Sequence, residues 1–120
     1  MRVLICDDNE DAADTLAMLL RSHGHEVKTF YEGSSCLREA LAWVPAIAYL
    51  DIGMPGVTGY GVARQLRAKF GATIFLVAVT GYDSMEDRTV SFEAGFDVHL
   101  AKPVKPERIV AIAAQPSRPS

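Results

Sequence analysis

The sequence predicts a doubly wound α/β fold, a five-stranded parallel sheet with helices on both of its faces. Short continuous apolar runs alternate along the chain with segments of helical periodicity. The runs have strand length and lack the polar alternation of a sheet with one wet face, so they suit strands buried on both sides. Five such β/α units follow one another with no linker or repeat between them, and the simplest order of their strands is 2-1-3-4-5.

Three of the strands are read from Val3 to Cys6, Ala46 to Leu50 and Ile74 to Val79, each an unbroken apolar run. Residues 25–31 mix polar and apolar positions and suit an edge strand, and Val98 to Ala101 is a shorter fifth. Between them, Ala13, Leu16, Leu19 and Leu20 recur at spacings of three and four and give residues 9–23 one apolar face, with Gly24 as the stop. Leu37, Ala40 and Leu41 do the same for residues 33–43, and Val62, Ala63, Leu66 and Phe70 for residues 59–70. Ser84 followed by acids at 86 and 87 suits the cap and first turn of a helix over 84–94 that stops at Gly95. Pro106 fits the first position of the last helix, although Lys105 is a poor cap and predicts fraying there. One domain over residues 1–115 is expected, followed by a polar, proline-containing tail over 116–120 that does not fold.

Bulk properties narrow the function classes. A chain of 120 residues can bury a real core, and a net charge of −3 with a pI near 5.5 argues against a nucleic-acid or anionic-membrane surface. No apolar stretch approaches a membrane span, and the opening MRVLICDD ends its short apolar run in two acids, unlike a secretion signal. Cys6 and Cys36 share no metal-ligand spacing and are too few for a disulfide framework, which suits a reducing cytoplasm.

In a doubly wound sheet the functional crevice lies at the carboxyl ends of the central strands. The first strand ends at Asp7-Asp8, the third at Asp51, the fourth at Thr80 and the fifth at Lys102-Pro103. Each residue alone has an ordinary explanation: a helix opener, a loop cap, a strand residue, a solvated charge. Together they deliver three carboxylates, a hydroxyl and an ammonium to one edge. Two like charges about 4 Å apart cost roughly 4 kcal/mol at an effective dielectric near 20, so such a cluster invites a cation. Open, all-oxygen surroundings match Mg²⁺, and a carboxylate beside it can accept a phosphoryl group. That transfer needs positioning and charge neutralisation more than acid–base chemistry. Gly53 and Gly56 in the loop after Asp51 let the backbone approach a ligand closely.

The motifs around these residues, VLICDDNE at 3–10, LDIGMPG at 50–56, VTG at 79–81 and AKPV at 101–104, resemble the receiver domains of bacterial response regulators over residues 2–115. The resemblance implies a flavodoxin-like fold and a phosphoprotein of two-component signalling, with Asp51 as phosphoacceptor. It implies Mg²⁺ held by Asp8 directly, by Asp7 through water, by Asp51 and by the Gly53 carbonyl, with Thr80 and Lys102 on the phosphoryl oxygens. The implied donor is a sensor histidine kinase or a histidine phosphotransfer protein, and the output is a partner or an attached domain. Such a chain catalyses its own phosphoryl transfer and slow hydrolysis but is not otherwise an enzyme. Residues 93–103 are similar to receivers attached to hybrid sensor kinases. A receiver fold that works as a pure interaction module is the alternative, and the acceptor, acids and lysine it would lack are all present.

Three positions depart from the family. Many receivers carry Tyr or Phe three residues before the lysine as a rotating switch, and here that residue is His99. It reads either as a half-exposed edge-strand histidine or as a switch of different polarity. Gly53 and Tyr82, two residues beyond Asp51 and Thr80, stand where the family controls water access to the phosphoryl group. Cys6 reads as a small apolar filler, not a nucleophile. Other phosphate chemistries fit less well. A dehalogenase-type phosphatase has a second acid where Gly53 stands, a flavin carrier needs hydroxyls where Asp7 and Asp8 stand, and no P-loop or dinucleotide loop is present.

Overall fold

The computed structural model describes residues 1–54 and 56–116. Strands β1 (Arg2–Cys6), β2 (Glu26–Phe30), β3 (Ile47–Asp51), β4 (Phe75–Thr80) and β5 (Val98–Ala101) form one parallel sheet in the order β2-β1-β3-β4-β5. Helices α1 (Glu10–Ser22), α2 (Gly33–Trp43), α3 (Gly59–Phe70) and α4 (Met85–Ala94) make the four crossovers, with a short 3₁₀ turn at Gly71–Thr73, and α5 (Pro106–Ala114) follows β5. The doubly wound architecture and the strand order are those the sequence predicts.

Alternate side chains of each strand supply the two cores. Val3, Ile5, Tyr49 and Val77 point to one face, where Ala13, Ala17 and Leu20 of α1 and Ile109 and Ala113 of α5 cover them. Leu4, Cys6, Leu50 and Leu76 point to the other, under Cys36 and Ala40 of α2 and Val62, Ala63 and Leu66 of α3. In β2 only Val27 is buried, which is why its composition alternates. β3 and β4 each run one residue further than their apolar runs, ending on Asp51 and Thr80, so both polar groups belong to the sheet itself.

Helix ends follow local chemistry. The Asn9 side chain caps α1 by accepting from the Ala12 N–H, and Ser84 and Asp87 form a reciprocal capping box at α4. No side chain caps α5 at Lys105, yet the helix runs from Pro106 to Ala114, tied to the core where the Tyr49 hydroxyl donates to the Ile109 carbonyl at 2.7 Å. Of the tail, Pro116 lies past this helix and 117–120 fall outside the described residues. Among the described residues no helix is long and apolar enough to cross a membrane.

Cys6 fills the core as the sequence suggests, its sulfur 3.3 Å from that of Met54. Cys36 lies against it, and the hydrogen bond to Cys6 together with burial pushes the Cys36 thiol far up, so Cys36 packs as a neutral thiol.

Arg67 of α3 ties several turns together. Its guanidinium donates to the carbonyls of Gly95, Gly71 and Ile74 and to Asp97 Oδ2 at 2.8 Å, while Asp97 also accepts the Leu76 N–H at 2.9 Å. One cation thus pairs with a half-buried acid and satisfies carbonyls at the start of β4 and the end of α4. Removing it takes from the half-buried Asp97 its guanidinium partner and from three carbonyls their donor. Arg67→Met is expected to lower the unfolding free energy by about 2–4 kcal/mol. A shift of the urea midpoint without a change in slope checks this.

Candidate functional site

The acidic pocket is built by the carboxyl edge of the sheet. Asp7 leaves β1 with its N–H on the Phe30 carbonyl at 3.1 Å, and its Oδ1 accepts the Asn9 N–H at 2.9 Å, so the turn into α1 fixes its direction. Asp8, the next residue, is exposed. Asp51 ends β3, with Oδ1 accepting the Gly53 N–H at 3.1 Å. Asp7, Asp8 and Asp51 each offer a carboxylate oxygen within 4.8 Å of the others. Lys102, just beyond β5, brings its ammonium to 3.1 Å from Asp7 Oδ2 and 3.6 Å from Asp51 Oδ2. The Lys102 N–H also bonds the Thr80 carbonyl at 2.8 Å, and the peptide bond from Lys102 to Pro103 is cis.

Four of the residues singled out in the sequence therefore meet: Asp7, Asp8, Asp51 and Lys102. Gly53 adjoins them through its N–H. Thr80 is fully buried, and its Oγ1 is turned to its own loop, where it accepts the Tyr82 N–H at 3.1 Å. The Tyr82 ring lies over Gly53, with Cε2 3.6 Å from where a Cβ on that glycine would stand. His99 is not half-exposed. It is buried, with both ring nitrogens hydrogen bonded, because β5 is covered on that face by α4 and the loop before it.

Gly59 supports the site and is not singled out by the sequence reading. A Cβ there would run into the Asp51 carbonyl oxygen and stand 2.8 Å from the Ile52 Cα, so only glycine lets the start of α3 close on the end of β3. Its signal was the glycine at the first helical position after the Thr58 cap.

Burial raises the Asp51 carboxyl to about 6, helped by the nearby Asp7, against the Gly53 N–H and the Lys102 ammonium, which favour the charged form. Burial disfavours the Lys102 ammonium, but Asp7 and Asp51 outweigh it and hold Lys102 above the usual lysine value. The arrangement concentrates oxygen ligands and one cation around a buried strand-end carboxylate. An oxygen-only donor set of this kind fits a hard divalent cation such as Mg²⁺.

Comparison with known proteins decides the family. Residues 3–114 match the family model described as the response regulator receiver domain. The chain is a response regulator receiver domain. Among curated relatives, this receiver is 38% identical over 109 residues to the sensory transduction protein RegX3 of Mycolicibacterium smegmatis, covering 91% of the chain and 47% of the relative. It is 34% identical over 110 residues to the DNA-binding response regulator MtrA of the same organism, covering 92% and 47%. The receiver thus spans about half the length of these relatives, neither of which is named as a hybrid kinase. Among solved structures, a CheY-like receiver domain protein from Methanospirillum hungatei superposes with a TM-score of 0.89 at 27% identity, covering 96% of this chain and 91% of that one. A response regulator from Burkholderia pseudomallei, solved with a phosphorylated aspartic acid, calcium ion and citrate, gives 0.84 at 28% identity, covering 92% and 64%.

The raised carboxyl has a stability consequence with a definite sign. Asp51 takes its proton near pH 6 when folded and near 3.8 when unfolded, so the folded receiver holds the extra proton between those values. Stability contributed at low pH is lost as pH rises through that window, up to about 3 kcal/mol. Without added metal, Asp51→Asn is expected to stabilise the receiver by about 1–3 kcal/mol above pH 6, the gain shrinking as pH falls toward 4. Urea titrations of parent and variant across pH 4–8 check the difference.

Proposed function

We propose that this receiver takes a phosphoryl group onto Asp51 from a phosphohistidine of a sensor histidine kinase or a histidine phosphotransfer protein, in the cytoplasm. The observation that carries the reading is the buried Asp51 carboxylate at a strand end, with the Lys102 ammonium 3.6 Å away and two further acids beside it. The phosphorylated aspartic acid in the Burkholderia pseudomallei relative supports it.

In the transfer, an Asp51 carboxylate oxygen attacks phosphorus and forms a P–O bond as the P–N bond to the donor imidazole breaks. The electron pair leaves with that nitrogen. Oδ1 is held by the Gly53 N–H, while Oδ2 faces Lys102. Asp7, Asp8, Asp51 and the Gly53 carbonyl would hold Mg²⁺, which supplies neutralisation of the phosphoryl oxygens' charge when bound. Lys102 is already drawn into the pocket by two carboxylates and can pass one contact to a phosphoryl oxygen at little cost in ordering. Thr80 would donate its hydroxyl to a second oxygen. The Tyr82 ring over Gly53 narrows the approach of water to the acyl phosphate and slows its hydrolysis. The added group carries about 1.5 to 2 negative charges, and the receiver answers by changing conformation toward a partner or an attached domain.

With Mg²⁺ and acetyl phosphate, the receiver is expected to gain one phosphoryl group by intact-mass spectrometry. Asp51→Asn gains none, and Asp8→Ala loses uptake because the metal is no longer held. Equal labelling of the parent and Asp51→Asn would overturn the assignment.

A further inference from the structure

His99 is a buried titratable residue that the phosphoacceptor chemistry leaves unused. Its side chain is fully enclosed where β5, the loop after β4 and α4 meet. Nε2 lies 2.9 Å from the Tyr82 carbonyl oxygen, and Nδ1 lies 2.7 Å from Ser91 Oγ. Ser91 is itself fully buried, on the inner side of α4. Asp83 Oδ1 stands 3.6 Å from Nε2, but Arg88 pairs with that carboxylate at 2.6 Å.

These partners fix where the protons sit. A carbonyl oxygen only accepts, so Nε2 must carry the proton of the neutral ring. Nδ1 is then a bare lone pair, and the Ser91 hydroxyl donates to it. The run of bonds continues at its other end, where the Tyr82 N–H donates to Thr80 Oγ1 at 3.1 Å. Thr80, Tyr82, His99 and Ser91 therefore form one line of hydrogen bonds from the rim of the acidic pocket to α4.

We propose that His99 is a polar latch: as the Nε2–H tautomer it ties the loop after β4 to α4 in the unphosphorylated receiver, and phosphoryl capture by Thr80 works against that tie. The coupling to phosphorylation rests on Asp51 being the phosphoacceptor, whereas the tautomer and the tie do not. Thr80 Oγ1 already holds the Tyr82 N–H, so turning it toward a phosphoryl oxygen requires Tyr82 to follow or to let go. The Tyr82 carbonyl is held by His99, and His99 is held by Ser91. The ring already fills its buried position with no phosphoryl group present, so it has no vacated space to enter. It acts instead by what it must release.

Long-range ¹⁵N–¹H spectra of the receiver at pH 7.5, without metal or donor, test the first half. Nε2 is expected to be protonated and Nδ1 bare, and a ring protonated on Nδ1 overturns the latch. Ser91→Ala removes the donor to Nδ1, and His99→Phe removes both polar atoms while keeping a ring. In both, amide exchange from Tyr82 to Thr89 is expected to quicken about 2- to 10-fold, the weight of one hydrogen bond, with β1 and β3 unchanged. Both should also bind beryllofluoride, a phosphoryl mimic, more tightly than the parent by a similar factor in the presence of Mg²⁺. Unchanged exchange in that loop, or no tightening in either variant, overturns the latch. A parent that takes up no beryllofluoride overturns the phosphoacceptor reading and the coupling with it, while the tautomer result still decides the tie.

Discussion

Asp7, Asp8 and Asp51 hold carboxylate oxygens within 4.8 Å of one another, and Lys102 reaches into the group from the far side of the sheet edge. At such spacing each like-charge pair costs on the order of 4 kcal/mol at an effective dielectric near 20, a repulsion that the one ammonium of Lys102 offsets only in part. The cost is carried by the strands behind it. β3 and β4 are buried along their whole length and β1 along all but its first residue, and the helices on both faces leave these strands no room to shift. Parallel pairing fixes the register of neighbours, Cys6 beside Leu50 and Asp51 beside Val79. A carboxylate on a loop would swing away from its neighbours. One on the last residue of a central strand cannot.

The two flanks of the pocket are held differently. On the Asp51 side, Gly59 allows α3 to close directly on the strand end, and Arg67 of the same helix binds carbonyls of the turns beyond it. On the Thr80 side, residues 81–86 are exposed, and α4 buries only Ser91 and Ala94. A helix with so little apolar surface in the core opens at low cost, and its position depends on directed polar contacts instead. Those contacts are its capping box, the Arg88–Asp83 pair and the Ser91–His99 bond. A rigid strand-end carboxylate beside a lightly held helix suits the proposed function, in which a phosphoryl group would be placed accurately and yet be felt elsewhere.

Much of this was legible in the residues, and what was not has physical causes. Continuous apolar runs such as 74–79 mark buried strands because nothing in them faces water, and the acids after those runs mark the crevice. Asp51 and Thr80 close their strands as read, each continuing the ladder past the apolar run, whereas β1 stops at Cys6 and β5 at Ala101, one residue short of Asp7 and Lys102. Arg67 reads as a solvated helix charge, because its carbonyl partners lie 4 to 28 residues away and carbonyls leave no trace in a sequence. The same holds for His99. Its burial depends on Ser91, eight residues earlier, and on a backbone carbonyl of the β4–α4 loop, so its place on an edge strand left a half-exposed side chain and a switch both open.

That histidine changes what kind of switch the fold can support. An aromatic hydrocarbon in the same place is held by contact area, which varies smoothly as the ring slides or turns. An imidazole with both nitrogens engaged is held by two directed bonds, each worth about 0.5–1.5 kcal/mol net. Breaking one without replacing it strands a buried polar atom, at about 1–3 kcal/mol, so intermediate positions are penalised more than either end. Ser91 deepens the effect, because a hydroxyl deprived of Nδ1 on the inner face of α4 has no water to turn to. The consequence is a switch whose threshold is set by hydrogen bonding rather than by ring volume. On the proposed reading, signal strength would then depend on how far a phosphoryl group's hold on Thr80 exceeds the tie it must break.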